Sequence, residues 1–184
     1  MSVDFEARYR AEGDPWGYVT SAYERDKYAA TLAACGPGPF ARALELGGSI
    51  GVFSALLASR CERLDTIDGA PSAVAAARAR LAGHPGARAH DGAIPDDIPR
   101  GPFDLVVASE VLYYLDDLEL DRTLSRLAEE LRTGGRLVAV HWLPTGPDRP
   151  LTAGYVHGRL RRCAWLRPVE QRRSEYLLDV LERR

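Results

Sequence analysis

The residues best suited to chemistry lie together in one short segment, Glu45 to Gly51, which reads ELGGSIG. Three glycines there remove side chains, so that a ligand can approach the backbone closely. A helix that begins directly after such a turn offers free N–H groups and a partial positive charge. Turns between a strand and a helix are where parallel α/β folds bind ligands. The segment therefore predicts a ligand-binding turn.

Two ligand classes compete for this turn. A dinucleotide site favours the spacing G-x-G-x-x-G, which Gly47, Gly48 and Gly51 do not supply because Leu46 stands at the first position. Glu45, two residues before Gly47, would also disfavour a pyrophosphate. A carboxylate at this place suits a ligand with an ammonium or sulfonium charge. We therefore favour S-adenosylmethionine over a dinucleotide and over an empty turn.

Further polar residues follow the next strands along the chain. Asp68, 68 − 45 = 23 residues after Glu45, could accept hydrogen bonds from both ribose hydroxyls, as in nicotinamide and adenosylmethionine sites alike. Asp91, before Gly92, could bind an adenine amino group, although Asp-Gly is also a common turn. Ser109 would present its backbone to the cofactor or to the substrate. The predicted cofactor-binding residues are Trp16, Glu45, Gly47, Gly48, Gly51, Asp68, Gly69, Asp91, Gly92 and Ser109.

Two side chains are candidates for the catalytic base. Glu110 and His141 follow or end the fourth and fifth predicted strands, and histidine titrates near neutral pH. An amine acceptor must lose a proton before it can attack a methyl group, so a base would help. As alternatives, Glu110 could bind a cationic amine and His141 could simply pack beside its neighbour. Trp16 is expected in a lid over the cofactor, with simple packing against the sheet edge as the alternative. Lys27 is expected on a solvated helix face, with a contact to the cofactor carboxylate as the alternative.

Alternating apolar runs and helix-like segments predict the elements that position these residues. Helices are expected at 22–34, 50–59, from 71 onward, 118–131 and 152–162; strands are expected at 41–46, 63–68, 87–91, 103–109, 136–142, 165–172 and 175–182. This order predicts a three-layer α/β Rossmann-like domain with a seven-stranded, mostly parallel sheet and an antiparallel last strand. One domain of 1–184 would divide into an N-terminal lid and first helix (1–35), a cofactor-binding core (40–142) and a substrate-side part (143–184).

Composition narrows the class of protein. The chain has 184 residues, and 24 Lys+Arg against 26 Asp+Glu give a net charge of −2. This balance disfavours a nucleic-acid partner held by phosphate contacts. No apolar run approaches the roughly 20 residues of a membrane span. The three cysteines lack metal-ligand or disulfide spacing, which favours a reducing cytoplasm and predicts no metal site. The expected partner is a small-molecule substrate, and the oligomeric state stays open.

The same residues resemble a known family. The ELGGSIG turn, Asp68, Asp91 and the stretch FDLVVASEVLYYL are similar to class I S-adenosylmethionine-dependent methyltransferases. The N-terminal segment around DPWGY, together with SEVLYYL, resembles nodulation protein S, which implies N-methylation of an amino sugar or a similar amine. That resemblance also implies a cysteine in the turn, where Gly48 stands. The acceptor stays open, with an O-methyltransferase and a non-catalytic cofactor-binding protein as alternatives.

Overall fold

The computed structural model describes residues 4–184 and contains one seven-stranded sheet. The strands are β1 (Ala43–Leu46), β2 (Leu64–Asp68), β3 (Ala87–Asp91), β4 (Phe103–Ser109), β5 (Leu131–Trp142), β6 (Leu166–Arg173) and β7 (Tyr176–Arg183). Their order in the sheet is β3-β2-β1-β4-β5-β7-β6. Strands β1 to β5 pair in parallel, and β7 runs antiparallel to both β5 and β6. The predicted fold class is confirmed.

Helices cover both faces of the sheet. They are α1 (Phe5–Glu12), α2 (Ala22–Cys35), α3 (Val52–Ala58), α4 (Pro71–Arg80), α5 (Asp117–Glu130) and α6 (Ala153–Arg162). On one face, α5 and α6 bury leucine and valine side chains against the sheet, and on the other α2 and α3 bury Tyr28, Phe53 and Leu57. Because both faces are covered, the central strands are mostly apolar, although β1 contains the buried Glu45. No helix within residues 4–184 is long and apolar enough to cross a membrane.

Helix α1 was not expected from the sequence. Its side chains are mostly polar, and Tyr9 is its buried residue, so it lacks the apolar stripe that marks an amphipathic helix. Its first turn is capped by the Asp4 carboxylate, which accepts a hydrogen bond from the Ala7 N–H at 2.9 Å. Glu6 fixes the helix to α4, because its carboxylate accepts hydrogen bonds from the N–H and the hydroxyl of Ser72.

Two strand boundaries differ from the prediction by more than one residue, each for a local reason. Strand β1 begins two residues late because the N–H groups of Ala41 and Arg42 donate to the Asp104 carboxylate at 2.6 and 3.1 Å instead of joining the ladder. Strand β5 begins earlier, at Leu131, because Leu131 already pairs with Phe103 and the residues up to Arg136, including Gly134 with its positive φ, form an irregular part of the β4–β5 pairing.

Candidate active site

The turn after β1 has the geometry that its glycines predict. Gly47 has a φ of 72°, and a Cβ at this residue would lie 2.8 Å from the Val111 side chain. Gly51, with a φ of 78°, precedes α3, where a Cβ would lie 2.9 Å from the Cα of Ala77 in α4. A side chain at either residue would be strained by its backbone conformation and would also collide with a neighbour. The glycines thus let Val111 approach the turn closely and let α3 pack against α4.

Glu45 points its carboxylate into the protein beneath this turn. The residue is 3 % exposed, and the Ser54 hydroxyl donates a hydrogen bond of 2.5 Å to its Oε2. Burial raises the pKa of the Glu45 carboxyl to about 7, because desolvation disfavours the charged form. The side chain lines a small cleft of about 30 Å³ together with Gly47, Gly48 and Ser109. A ligand ammonium in this cleft would shift Glu45 toward its ionised form.

Asp68 is held at the end of β2 by two backbone groups. Its Oδ2 accepts from the Ser49 N–H at 2.8 Å, and its Oδ1 from the Ala70 N–H at 3.0 Å. Burial nonetheless raises the pKa of this carboxyl. Each oxygen keeps a second lone pair, which suits a pair of vicinal hydroxyls. Asp68 lines a cavity of about 430 Å³, which we call the inner cavity.

The inner cavity collects most of the predicted cofactor-binding residues. It is lined by Trp16, Gly47, Asp68, Gly69, Gly92 and Ser109, while Glu45 and Gly48 line the adjoining cleft. Two predicted residues do not line either space. Gly51 lies below the turn against α4, and Asp91 is exposed at the end of β3, where it pairs in register with Asp68.

An aromatic cluster from the N-terminal segment covers the inner cavity. The Trp16 ring stacks on Tyr18 with centroids 5.8 Å apart, and Tyr9 meets Trp16 edge-on at 5.4 Å. The Tyr9 hydroxyl shares a hydrogen bond of 2.5 Å with the hydroxyl of Ser49 in the glycine turn. The segment therefore covers the cavity and is tied to the turn itself. Trp16 both packs in this cluster and lines the cavity.

A second cavity of about 510 Å³, which we call the outer cavity, opens beside the first. Both cavities are lined by Trp16, Tyr18, Glu110 and Tyr114. The outer cavity is otherwise lined by Ser21, Tyr23, Glu24, Lys27, Tyr113, Trp142, Asp148, Arg149 and Glu175. The four shared residues mark the boundary at which a group could pass from a ligand in one cavity to a ligand in the other.

Glu110 stands on this boundary and is firmly fixed. Its Oε1 accepts from the Lys27 ammonium at 3.0 Å, and its Oε2 accepts from the Tyr113 hydroxyl and from the Trp142 N–H. The Lys27 ammonium also donates to Glu24 Oε1 at 2.9 Å. The Lys27 side chain is only 2 % exposed, so the expectation of a solvated Lys27 is wrong. A buried cation instead joins two carboxylates.

Glu24 is the less satisfied of those two carboxylates. Its Oε2 is buried and has no hydrogen-bond partner among residues 4–184. Burial raises the pKa of the Glu24 carboxyl even though the neighbouring Lys27 acts in the opposite direction. A carboxylate with a free oxygen and a raised pKa is a stronger proton acceptor than a surface glutamate.

His141 lies outside both cavities, in a buried chain of hydrogen bonds. Its Nε2 accepts from the Leu112 N–H at 3.1 Å, so its proton must sit on Nδ1 and be donated to His157 Nε2 at 3.0 Å. His157 Nδ1 then donates to Asp179 Oδ2 at 3.0 Å. Burial, aided by His157, lowers the pKa of His141 well below its usual value. Both ring nitrogens are occupied, which favours the packing alternative for this residue.

Comparison with known proteins places this geometry in a family. The family described as nodulation protein S matches residues 4–140. The chain belongs to the nodulation protein S family. Nodulation protein S of Rhizobium tropici is 36 % identical over 137 residues, which are 71 % of this chain and 56 % of that protein. The chain thus spans little more than half the length of this relative.

Solved structures agree with this family. The N-methyltransferase NodS from Bradyrhizobium japonicum WM9, in complex with S-adenosylhomocysteine, is 26 % identical, has a TM-score of 0.85, and is matched over 96 % of this chain and 95 % of that one. A putative methyltransferase from Pseudomonas syringae is 37 % identical, with a TM-score of 0.77, over 89 % of this chain and all of that one (100 %). These matches confirm the predicted fold and support the assignment to the nodulation protein S family.

The turn departs from the cysteine that the nodulation protein S resemblance implies. At Gly48, a Cβ would lie 1.8 Å from Thr66 Oγ1, because the threonine side chain points into the turn from β2. A cysteine would therefore require Thr66 to rotate.

Within residues 4–184, no three His, Cys, Asp or Glu side chains are grouped as a metal ion would need.

Sequence reasoning missed two features of the site. Glu24 and Lys27 share a helix face with Tyr28 and Thr31, at the spacing i, i+3, i+4 and i+7 of a buried stripe. A charged pair on such a stripe could have been recognised as buried and functional. Arg149 carried no such signal, because it lies in an irregular Pro/Gly-rich segment without periodicity.

Proposed function

We propose that this protein transfers a methyl group from S-adenosylmethionine to the nitrogen of a small-molecule amine. The observation that carries the proposal is the shared boundary of the inner and outer cavities. Methyl transfer is an in-line displacement, so the donor sulfur, the methyl carbon and the attacking nitrogen must be aligned. Two adjoining cavities can hold donor and acceptor in this alignment, and such positioning can contribute about 7–11 kcal/mol to catalysis.

The inner cavity fits the cofactor by its own chemistry. Asp68 has free lone pairs for the ribose hydroxyls, Gly47 presents backbone without a side chain at the cavity wall, and Glu45 offers a carboxylate to the ammonium of the ligand. The aromatic cluster around Trp16 would exclude water and face a positive charge favourably. When bound, the cofactor supplies a methyl group already activated by its sulfonium. The residues of the protein hold and align it.

The outer cavity favours an amine as acceptor. Four carboxylates, from Glu24, Glu110, Asp148 and Glu175, line it against two cations, from Lys27 and Arg149. Lys27 is already engaged by two of these carboxylates. The remaining negative charge and the aromatic walls attract an ammonium group.

We assign the proton transfer to Glu24. A bound ammonium would give its proton to the free Oε2, which leaves the nitrogen lone pair directed at the methyl carbon. Glu110, whose oxygens already accept from Lys27, Tyr113 and Trp142, would orient the acceptor at the boundary. The relative NodS from Bradyrhizobium japonicum WM9 is an N-methyltransferase, which supports nitrogen as the acceptor atom. An amino sugar is the class of acceptor that the resemblance of the sequence implies.

The alternatives make different demands on the outer cavity. A non-catalytic cofactor-binding protein predicts a second pocket that is closed, whereas the outer cavity measures about 510 Å³. An O-methyltransferase of a small metabolite would methylate hydroxyl acceptors. The carboxylates around the outer cavity favour nitrogen over oxygen, because they attract a cation.

Binding and turnover test the proposal together. S-adenosylhomocysteine at 100 times its Kd should stabilise the protein by about 2.7 kcal/mol, and NAD should not. D-glucosamine should gain a methyl group on nitrogen, seen by mass spectrometry of the product, while D-glucose should gain none. Glu24→Gln should lower kcat about 100-fold with little change in the Kd of the cofactor. The exposed control Glu62→Gln should behave as the wild type.

Two outcomes would refute the proposal. Methylation of the hydroxyl compound alone would make the protein an O-methyltransferase. Cofactor binding without transfer to any amine or hydroxyl would favour the non-catalytic alternative. A Glu24→Gln variant with unchanged kcat would remove Glu24 from the mechanism and leave the methyl transfer itself in place.

A further inference from the structure

One cation of the outer cavity is not used by the proposed reaction. The Arg149 side chain is only 10 % exposed, and its Nε is buried without a hydrogen-bond partner among residues 4–184. Its guanidinium carbon lies 5.0 Å from the ring centroid of Tyr113 and 5.2 Å from that of Trp142. Stacking between two rings holds the guanidinium in place at the wall of the cavity.

The charge of Arg149 is only loosely balanced within the protein. The neighbouring carboxylate is that of Asp148, whose Oδ1 is 3.7 Å from Arg149 Nε, which is too long for a hydrogen bond. The other oxygen of Asp148 also faces Arg8, at 4.0 Å. A buried N–H without an acceptor is costly, so a donor left open at a cavity wall indicates a ligand group that satisfies it.

The wall of the outer cavity therefore carries two kinds of charged group, and one tyrosine contacts both. The Tyr113 hydroxyl donates to Glu110 at the boundary with the inner cavity, while Arg149 lies over the face of the same ring. Glu24 and Glu110 are the carboxylates that would receive the amine, and both engage Lys27. Arg149 is the cation that neither of them engages, and Asp148 and Glu175 are the remaining charged groups of the wall.

Arg149 also lies outside the part of the sequence that matches the family. That match ends at residue 140, whereas Arg149 follows β5 in the segment that leads to α6. Arg149 is therefore not one of the residues that define the family.

We propose that Arg149 binds an anionic oxygen group of the methyl acceptor, so that the substrate is an amine that also carries a carboxylate or a phosphate. This inference rests on the proposed N-methyltransferase function. A guanidinium forms paired hydrogen bonds with either anion, which gives a fixed orientation as well as affinity. The anion at Arg149 would direct the amine of the same molecule toward Glu24 and the methyl group.

Three compounds with the same amino-sugar skeleton test the inference. They are D-glucosamine, D-glucosamine 6-phosphate and D-glucosaminic acid, the linear carboxylate, and each would be titrated by calorimetry into the complex with S-adenosylhomocysteine. The wild type should bind at least one anionic compound about 10- to 100-fold more tightly than D-glucosamine, the range expected for charge-assisted hydrogen bonds. Comparison of the phosphate with the carboxylate identifies which anion the site prefers.

Two variants locate the effect. Arg149→Gln should abolish the preference and leave the Kd of S-adenosylhomocysteine unchanged. Arg161→Gln, which removes an exposed arginine of α6, should keep the preference. The inference would be overturned if the wild type bound neutral and anionic compounds equally, or if the preference persisted in Arg149→Gln. It would also be overturned if Arg149→Gln lost affinity for S-adenosylhomocysteine instead of the preference.

Methyl transfer, measured in parallel, separates this inference from the proposed function. Preferential binding of an anionic amine without any methylated product would sustain the Arg149 site and refute the N-methyltransferase. Methylation of D-glucosamine without any preference for the anionic compounds would sustain the N-methyltransferase and refute the Arg149 site.

Discussion

Replacing Glu45 by glutamine should stabilise the protein while it weakens the cofactor site. The carboxylate is 3 % exposed and its pKa is raised from 4.5 to about 7, so its charged form is disfavoured in the folded state. The protonated Glu45 carboxyl makes its full contribution to the free energy of unfolding below pH 4.5, and this contribution is lost as the pH rises through about 7. Above that pH the folded protein carries a buried charge that glutamine would remove.

The size of this effect follows from the shift in pKa. A difference from 4.5 to about 7, at about 1.36 kcal/mol per unit, costs about 3 kcal/mol at pH 8. At pH 5 the carboxyl is protonated in the folded state and mostly ionised in the unfolded state, which costs less than about 1 kcal/mol. The amide oxygen of glutamine can still accept the Ser54 hydrogen bond. Glu45→Gln should therefore gain about 3 kcal/mol at pH 8 and much less at pH 5.

Urea unfolding of wild type and variant at the two pH values measures this gain. Glu62→Gln, which changes an exposed carboxylate, serves as the control and should stay within about 0.5 kcal/mol at both. Affinity for S-adenosylhomocysteine should fall about tenfold or more in Glu45→Gln, equal to about 1.4 kcal/mol, because the ligand ammonium loses its counter-charge. A variant that is no more stable at pH 8 than the wild type would refute the account of Glu45.

Three further predictions concern the residues around the site. Lys27→Met should lose about 3–5 kcal/mol of unfolding free energy, because it leaves the carboxylates of Glu24 and Glu110 without their cation. The control Arg122→Met, which breaks an exposed pair with Asp96, should lose no more than about 1 kcal/mol. Equal losses in urea unfolding of the two variants would contradict the buried triad. Asp68→Ala should raise the Kd of S-adenosylhomocysteine more than His141→Ala, whereas His141→Ala should lower stability by about 1–3 kcal/mol because Leu112 and His157 lose their partner. Full activity of His141→Ala would end its candidacy as the base, and an inactive variant that binds cofactor normally would restore it. Gly51→Ala should lower stability by about 1–3 kcal/mol through its φ and its contact with Ala77, and an unchanged melting temperature would refute that contact.

The fold was largely predictable because its signals are local. Strand β4 is a continuous apolar run, and α5 carries a leucine stripe, so both could be recognised from residues close together in sequence. Helix α1 escaped prediction because it buries one residue, Tyr9, and is held by contacts with distant segments. The boundaries of β1 depended on Asp104, which lies far along the sequence.

The position of the residues around the glycine turn was predictable for a similar reason. Glu45, Gly47 and Asp68 lie at the carboxyl ends of parallel strands, which the topology brings to one edge of the sheet. Gly51 and Asp91 belong to the same pattern, but neither lines the inner cavity. Gly51 packs against α4, and Asp91 is exposed to solvent. Position along a strand predicts the edge at which a residue lies, and it does not predict the wall of a cavity.

The sequence alone determined the alternation of strands and helices, the glycine turn and the family, because each depends on neighbouring residues or on a short motif. Tertiary structure decided the burial of Lys27 between two carboxylates, the enclosure of His141 and the stacking of Arg149 on Tyr113 and Trp142. Burial and charge pairing depend on which segments meet across the fold. The desolvation that changes the chemistry of a side chain therefore exists only once the protein has packed.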